Sequence, residues 1–173
     1  MSKPKESLEH FQLRLKTQMR RAFFDVMQSK MEDDAKRDEA HDWLIELHKE
    51  LHDRFCALIP SRKAQYDDFM DNELFARMLR GGVFQTDQLV SLITYVFEQL
   101  KAGAAPDMDD DIDARQADVM SRFKPNASFG SIVAPFLDHA HAVLDETVRR
   151  VMELSTKPRQ ESSAQPRQVP SAD

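Results

Sequence analysis

Cysteine, glycine and long apolar runs are scarce in this chain. Its 173 residues include four glycines and a single cysteine, Cys56. One cysteine cannot form a disulfide within the chain, which fits a reducing compartment. No stretch approaches the ~18 consecutive apolar residues of a membrane span, and no apolar run follows the polar N-terminus as in a signal peptide. We therefore expect a cytoplasmic protein with no membrane span.

Sequence motifs of the common enzyme classes are also missing. The chain has no glycine-rich phosphate loop, no Gly-x-Ser-x-Gly turn and no Cys-x-x-Cys pair. Cys56 has no general-base signature near it, so we interpret it as a small buried hydrophobe rather than a nucleophile. We predict no enzymatic activity, no catalytic residues and no cofactor.

Charge is unevenly distributed along the chain. The net charge is −6, yet residues 1–30 carry seven Lys or Arg against three Asp or Glu. The rest of the chain is therefore an acidic body, which argues against nucleic acid as a broad-surface partner. We interpret the basic first helix as packing against this body. The alternative is a detachable basic arm that binds a calmodulin-like partner or an acidic membrane surface.

The feature that dominates the sequence is helical patterning. Apolar residues make up 41% of the chain, and they recur at spacings of three and four, as in amphipathic helices. Strand-like alternation is nowhere sustained. We predict an all-α fold with a single multi-helix domain of about six helices over residues 1–157. Residues 158–173 have hardly an apolar side chain and are predicted to be a disordered tail.

Breakers and capping residues place the helix boundaries. Predicted helices cover residues 7–31, 38–59, 62–70, 72–80, 86–103 and 128–155, and one more begins near Pro106. Ser7, Ser61 and Asp71 are candidate N-caps, and Gly81-Gly82 predicts a positive-φ termination. Pro135 predicts a kink or an early turn in the last helix. The helix over 86–103 is the most apolar, so we expect it to lie centrally.

The first and last helices each have a long predicted apolar face. On the first helix the face consists of Leu8, Phe11, Leu15, Met19, Ala22, Phe23 and Val26. On the last helix it consists of Ile132, Val133, Phe136, Leu137, Ala140, Leu144, Val148, Val151 and Leu154. Part of the last helix's face is expected to stay uncovered or to pair with another chain.

Three histidines and the cysteine form a stripe on the second helix. His41, His48, His52 and Cys56 are spaced by seven, four and four residues, so they lie near one face. A tetrahedral zinc site needs ligands from a second element, and the sequence identifies none. We predict no metal site and interpret the stripe as boundary residues. The alternative is a metal- or ligand-binding helical bundle that uses His48, His52 and Cys56.

An acidic run invites a calcium interpretation. It consists of Asp107, Asp109, Asp110, Asp111 and Asp113. The sixth position of such a loop would be Ile112, where an EF-hand requires glycine. Ile112 is more consistent with a core anchor of a helix whose first turn is acidic, which favours the helix dipole.

Three segments together resemble the T-complex protein 11 family. The first is residues 55–60, Phe-Cys-Ala-Leu-Ile-Pro, and the third is residues 105–112, which begin Ala-Pro. The second is residues 69–82, where Asp71-Asn72-Glu73-Leu74 resembles the family's Leu-Asp-x-Glu-Leu helix and Gly81-Gly82 resembles the glycine that closes it. The last segment departs from the family pattern, because Met108 stands where the family has arginine. Family members are usually longer, so the chain resembles their N-terminal part.

The resemblance implies a helical, non-catalytic regulatory or scaffold protein, in a family linked to signalling. It implies no catalytic residues. We therefore expect a protein–protein interaction function through helix faces, with a homo-oligomer as one form of it.

Overall fold

A computed structural model describes residues 8–82 and 85–156, with side chains described from Gln18 onward except Arg20 and Gln28. All regular elements in these residues are helical, which confirms the all-α prediction. The α-helices are Leu8–Met31 (α1), Arg37–Leu58 (α2), Lys63–Phe69 (α3), Asn72–Gly81 (α4), Thr86–Gly103 (α5), Asp109–Met120 (α6) and Phe129–Thr156 (α7). Short 3₁₀ helices, Pro60–Arg62 and Pro106–Met108, precede α3 and α6. The predicted Ser7 cap and the tail over 158–173 lie outside the described residues.

Local chemistry sets several boundaries as the sequence predicts. The side chain of Asp71 accepts a hydrogen bond from the backbone N–H of Leu74, 3.0 Å away, and so caps α4. At the other end of α4, Gly82 has φ 62° and ends the helix in the left-handed region. Only a residue without a Cβ adopts this conformation at little cost.

Two boundary predictions are wrong. Ser61 caps nothing: it lies inside the 3₁₀ helix, and the residue that precedes α3 is Arg62, which makes no capping hydrogen bond through its side chain. At Pro135 the sequence predicts a kink or an early turn. The early turn does not occur, because α7 is continuous from Phe129 to Thr156, and the kink stays a prediction. Proline removes one backbone hydrogen bond, but its neighbours Ala134 and Phe136 are both buried and hold that turn against the core.

The centre of the domain is α7 rather than α5. The main packing of α7 is against α1, α2, α5 and α6, whereas α5 packs chiefly against α6 and α7. Burial explains the difference, because the buried residues of α7 cover more than half of its circumference. Ile132 and Ala134, each 3% exposed, lie about 200° apart around the axis, and Phe136, 0% exposed, lies between them. Mean apolarity identified α5 as the central helix, but the number of buried sides decides the position.

The apolar face of α1 is rotated relative to the prediction. Phe24 and Met27 are buried, whereas Met19 and Val26 are exposed by 65% and 50%. Consecutive apolar residues at 22–24 allow two helical registers, and packing selects the one that includes Phe24. The predicted face residues Leu8, Phe11 and Leu15 have side chains outside the described set.

The two ends of α7 differ in how well they are covered. At the start of α7, a Cβ added to Gly130 would lie 2.1 Å from the Cε of Met31, so the side-chain tip of the last residue of α1 lies against the backbone of α7. At the far end of α7, Val151 and Leu154 are exposed by 53% and 71%. The described residues contain no helix long and apolar enough to cross a membrane.

Candidate functional site

The stripe on α2 divides between two environments. His48 is 1% exposed and turns toward α4, where its Nδ1 lies 2.9 Å from the Oδ1 of Asn72. The imidazole also stacks on the ring of Phe75. Burial lowers the pKa of His48 to about 4, against the smaller opposing effect of the Asn72 hydrogen bond. His48 is therefore a neutral packed ring at pH 7, and its Nε2 is buried without a hydrogen-bond partner.

His41 is partly buried near the start of α2, and burial lowers its pKa. The last two members of the stripe, His52 and Cys56, meet a carboxylate from a second element. His52 Nε2 lies 2.8 Å from Asp67 Oδ1 on α3, and Cys56 Sγ lies 3.8 Å from the same nitrogen. One ligand atom from each of the three residues falls within 4.8 Å of the others. We call this set of His52, Cys56 and Asp67 the α2–α3 cluster. The sequence could not identify Asp67 because the pairing depends on how the chain reverses at Pro60.

Cys56 has the electrostatics of a protonated thiol. Partial burial raises its pKa, and the negative charge of Asp67 raises it further, against the smaller opposing effect of Lys63. An activated cysteine nucleophile needs a lowered pKa. The position of Cys56 thus gives no support to thiol-based catalysis.

Within the described residues, carboxylates of the acidic run near α6 form ion pairs with Lys and Arg side chains. Ile112 is 0% exposed, as expected for a core anchor. Asp111 accepts a hydrogen bond from Arg115 at 2.9 Å, and Asp107 accepts two from Arg150 on α7 at 2.7 and 2.8 Å. Asp113 pairs with Lys101 on α5. These carboxylates diverge to separate partners and do not converge on one point.

A buried polar contact between α2 and α7 was not apparent from the sequence. Arg54 donates hydrogen bonds to Asp145, at 2.9 Å, and toward the Nδ1 of His141, at 3.1 Å. The Nε2 of His141 lies 3.0 Å from the carbonyl oxygen of Leu47. His141 is 0% exposed and Asp145 4%. This network joins α2 to α7 within the core, and we interpret its role as structural.

A shallow apolar groove lies between the end of α3, α4 and the start of α5. It is lined by His48, Asp68, Phe69, Asp71, Leu74, Phe75, Met78, Gln88 and Leu92. Phe69 is 61% exposed although it stacks on Tyr95 with ring centroids 4.3 Å apart, and Leu74 is 45% exposed. We call this surface the α3–α5 groove. It extends along Asp68, Asp87 and Ser91 on its open side.

Five of the residues that line the groove lie in residues 69–82, one of the three segments that carry the family resemblance: Phe69, Asp71, Leu74, Phe75 and Met78. The model of one protein family, T-complex protein 11, matches residues 3–145 of the chain. The chain belongs to the T-complex protein 11 family. The resemblance drawn from the three sequence segments is thereby confirmed.

The T-complex protein 11 match covers α1 to α6 and ends within α7 at Asp145. Met108, which replaces the arginine of the family pattern, is 3% exposed and belongs to the hydrophobic core. Position 108 therefore contributes an apolar core contact in this chain. No curated protein and no solved structure matches the chain.

Proposed function

We propose that this T-complex protein 11 family member is a non-catalytic protein-binding module whose α3–α5 groove receives a basic amphipathic helix of a partner protein. The observation that carries the proposal is the exposed ring of Phe69, 61% accessible beside the half-exposed Leu74. Soluble domains rarely leave a large aromatic and an aliphatic side chain together at a concave surface without a binding role.

The size of the groove favours side chains over a small-molecule ligand. It encloses about 140 Å³, less than the ~300–1,000 Å³ typical of ligand and cofactor sites. Such a space accommodates one or two apolar side chains. A helix that lays its apolar face into a groove presents side chains of this kind at positions i and i+3 or i+4.

The charges around the groove select the polar face of the partner. Among the described residues that line the groove and its open extension, the charged side chains are Asp68, Asp71 and Asp87. Asp71 is engaged in capping α4, which leaves Asp68 and Asp87 available. Complementary Lys or Arg on the partner would gain from this rim and be guided to it. An acidic partner would be repelled.

The floor of the groove also offers a polar anchor. His48 lines it, and the His48 Nε2 is buried without a hydrogen-bond partner in the described structure. A buried polar atom without a partner costs free energy that a ligand group can recover. Because Nδ1–H donates to Asn72 Oδ1, this nitrogen is an acceptor. A partner hydrogen-bond donor that displaces the side chains covering it would add specificity to the apolar contact.

The proposal is tested with two synthetic amphipathic helices that share one apolar face and differ in their flanks. One helix carries Lys and Arg, the other Glu, and binding is measured by fluorescence anisotropy. The basic helix should bind with an affinity that falls as salt rises. Phe69→Ala and Leu74→Ala should weaken binding by about tenfold each, and Asp68→Asn/Asp87→Asn should reduce the salt dependence.

The matched control is Leu154→Ala, which removes an equally large aliphatic side chain at an exposed site on α7. It should leave peptide affinity unchanged. Equal binding of the acidic and basic helices would contradict the proposal, as would an equal loss in Leu154→Ala. Sedimentation at several concentrations, with and without Phe69→Ala, separates a second copy of the chain from a foreign partner as the occupant.

A further inference from the structure

We infer that the α2–α3 cluster is an open binding site for a divalent transition ion of the zinc type, with His52, Cys56 and Asp67 as the protein ligands. The three residues supply one imidazole nitrogen, one sulfur and one carboxylate oxygen. These are the ligand types that Zn²⁺ takes in proteins. His48 is excluded, because its ring is packed on Phe75 and hydrogen-bonded to Asn72.

The distances within the cluster are near those of a metal centre. Zinc bonds of about 2.0–2.3 Å at tetrahedral angles place ligand atoms about 3.3–3.6 Å apart. The Cys56 Sγ to His52 Nε2 distance is 3.8 Å, and the His52 Nε2 to Asp67 Oδ1 distance is 2.8 Å. The Sγ is also 3.9 Å from the other ring nitrogen, Nδ1, so the thiol faces the ring between its two nitrogens. Binding therefore requires the Cys56 side chain to rotate toward an ion held on Nε2, and the Nε2 and Oδ1 atoms to separate slightly.

A second carboxylate orients the histidine for this role. His52 Nδ1 lies 3.2 Å from Asp53 Oδ1. A metal-binding histidine typically donates its other N–H to a carboxylate, which fixes the tautomer and leaves the ligating nitrogen with a free lone pair. Without an ion, Nε2–H donates to Asp67 Oδ1 in the shorter of the two contacts. When an ion takes that place, the ring proton would reside on Nδ1 and be donated to Asp53, which leaves the Nε2 lone pair to the ion.

The site has three protein ligands and faces solvent. The Asp67 side chain is 46% exposed and that of His52 is 18% exposed. Three protein ligands leave one tetrahedral position for water or for an external ligand, in contrast to the four-ligand pattern of structural zinc. The ion would therefore be exchangeable and would not be required for folding.

One group opposes the ion. Lys63 donates to the other oxygen of Asp67, Oδ2, at 2.6 Å. Its ammonium competes for the carboxylate and repels a cation by Coulomb interaction. Because Lys63 binds Oδ2 and Oδ1 still faces His52, Lys63 weakens ion binding but leaves Oδ1 available as a ligand. Removal of Lys63 should therefore increase affinity for the ion.

Binding also has a proton balance. The metal ligand is the thiolate, so the Cys56 thiol must lose its proton when the ion binds. Formation of the sulfur–metal bond thus breaks the S–H bond and releases that proton to the buffer.

The test uses the reduced full chain without a polyhistidine tag. Calorimetric titration with Zn²⁺ should show one site, with about one proton released at pH 7 when buffers of different ionisation enthalpy are compared. Co²⁺ in place of Zn²⁺ should give a thiolate-to-metal charge-transfer absorption. Cys56→Ser and His52→Ala should abolish that absorption or the binding, Asp53→Asn should weaken affinity about tenfold, and Lys63→Ala should strengthen it.

The matched control is the double variant Asp38→Asn/His41→Ala, which removes one carboxylate and one imidazole from the same helix outside the cluster. It should bind zinc as the unmodified chain does. Circular dichroism checks that each variant folds, and Cys56→Ala replaces Cys56→Ser if the serine variant does not. Three results overturn the inference: no one-site zinc binding at micromolar ion, a cobalt complex without thiolate absorption, or binding retained in His52→Ala/Cys56→Ser.

Discussion

The imidazole of His48 lies flat against the ring of Phe75, with centroids 4.0 Å apart and planes 3° from parallel. This stack holds α2 against α4 and shapes the floor of the α3–α5 groove. It also places an ionisable group where water cannot reach it, because His48 is 1% exposed. Protonation of His48 in acid should therefore destabilise the protein at a residue that lines its proposed binding surface.

Stability should fall as pH decreases from about 6.5 toward 4. His48 has a folded-state pKa of about 4 and an unfolded value near 6.5, so within this window the unfolded chain binds more protons. The stability contributed by the neutral ring is complete above pH 6.5 and is lost as pH falls through the folded value, up to about 3 kcal/mol in all. Urea unfolding at several pH values measures it.

His48→Phe is the informative variant for this prediction, since it retains the stack on Phe75 and removes the titrating group. Its free energy of unfolding should vary much less than that of the unmodified chain between pH 6.5 and 4.5. If the free energy of unfolding changes with pH by the same amount in both proteins, groups other than His48 cause the loss of stability in acid.

Arg54→Met should destabilise the protein by about 3 kcal/mol, because it removes a cation that pairs with the buried Asp145. The matched exposed pair is Arg80 and Asp42, whose side chains are 59% and 60% exposed. There, Arg80→Met should cost less than about 1 kcal/mol. Chemical denaturation of both variants gives the two changes in the free energy of unfolding. Similar changes at the two sites would show that burial of the ion pair does not determine its contribution to stability.

Gly82→Ala should destabilise the protein by about 1 kcal/mol, because φ at this residue is 62° and L-residues with a Cβ are strained there. Apart from Gly82 itself, its neighbours in the chain and the backbone of α4, no described atom lies within 4 Å of the added methyl group, so the cost is one of backbone conformation. Gly82→Asn should lose less, since asparagine tolerates the left-handed region. Thermal melts that rank asparagine below alanine would contradict this explanation.

Two substitutions on α7 should have opposite consequences. Leu144 is 2% exposed and Val151 is 53% exposed. Leu144→Glu buries a charge in the core and should unfold the domain at 25 °C, whereas Val151→Glu should change stability by less than about 0.5 kcal/mol. Circular dichroism and melting temperatures distinguish them. Loss of fold in Val151→Glu would show that this end of α7 is covered in solution.

The sequence predicts the helices well because their boundaries depend on local chemistry. Pro60 ends α2, Asp71 caps α4 and Gly82 terminates it, and each of these effects involves residues within one turn. The rotation of α1 was less predictable. Phe23 and Phe24 are adjacent and both apolar, so only the packing against other helices decides that Phe24 is the buried one.

Sequence patterns do not predict contacts between residues that are far apart in the chain. Arg54 and Asp145 are separated by 91 residues, and no local signal pairs them. Asp67 is 15 residues from His52, but its approach depends on the angle at which α3 leaves the 3₁₀ turn. The spacing of His48, His52 and Cys56 suggested a set of three, and the structure splits it because α4 lies beside His48 and α3 beside the other two.

The shortest α-helix of the domain carries residues of both proposed sites. On α3, Asp67 and Phe69 are two positions apart, about 200° around the helix axis, so one faces α2 and the other faces α5. A helix of seven residues is not stable alone, so packing against the neighbouring helices stabilises α3. An ion that fixes Asp67 would reduce the entropy lost when a partner orders Phe69. Thermodynamic reciprocity then requires the partner to tighten ion binding by the same factor.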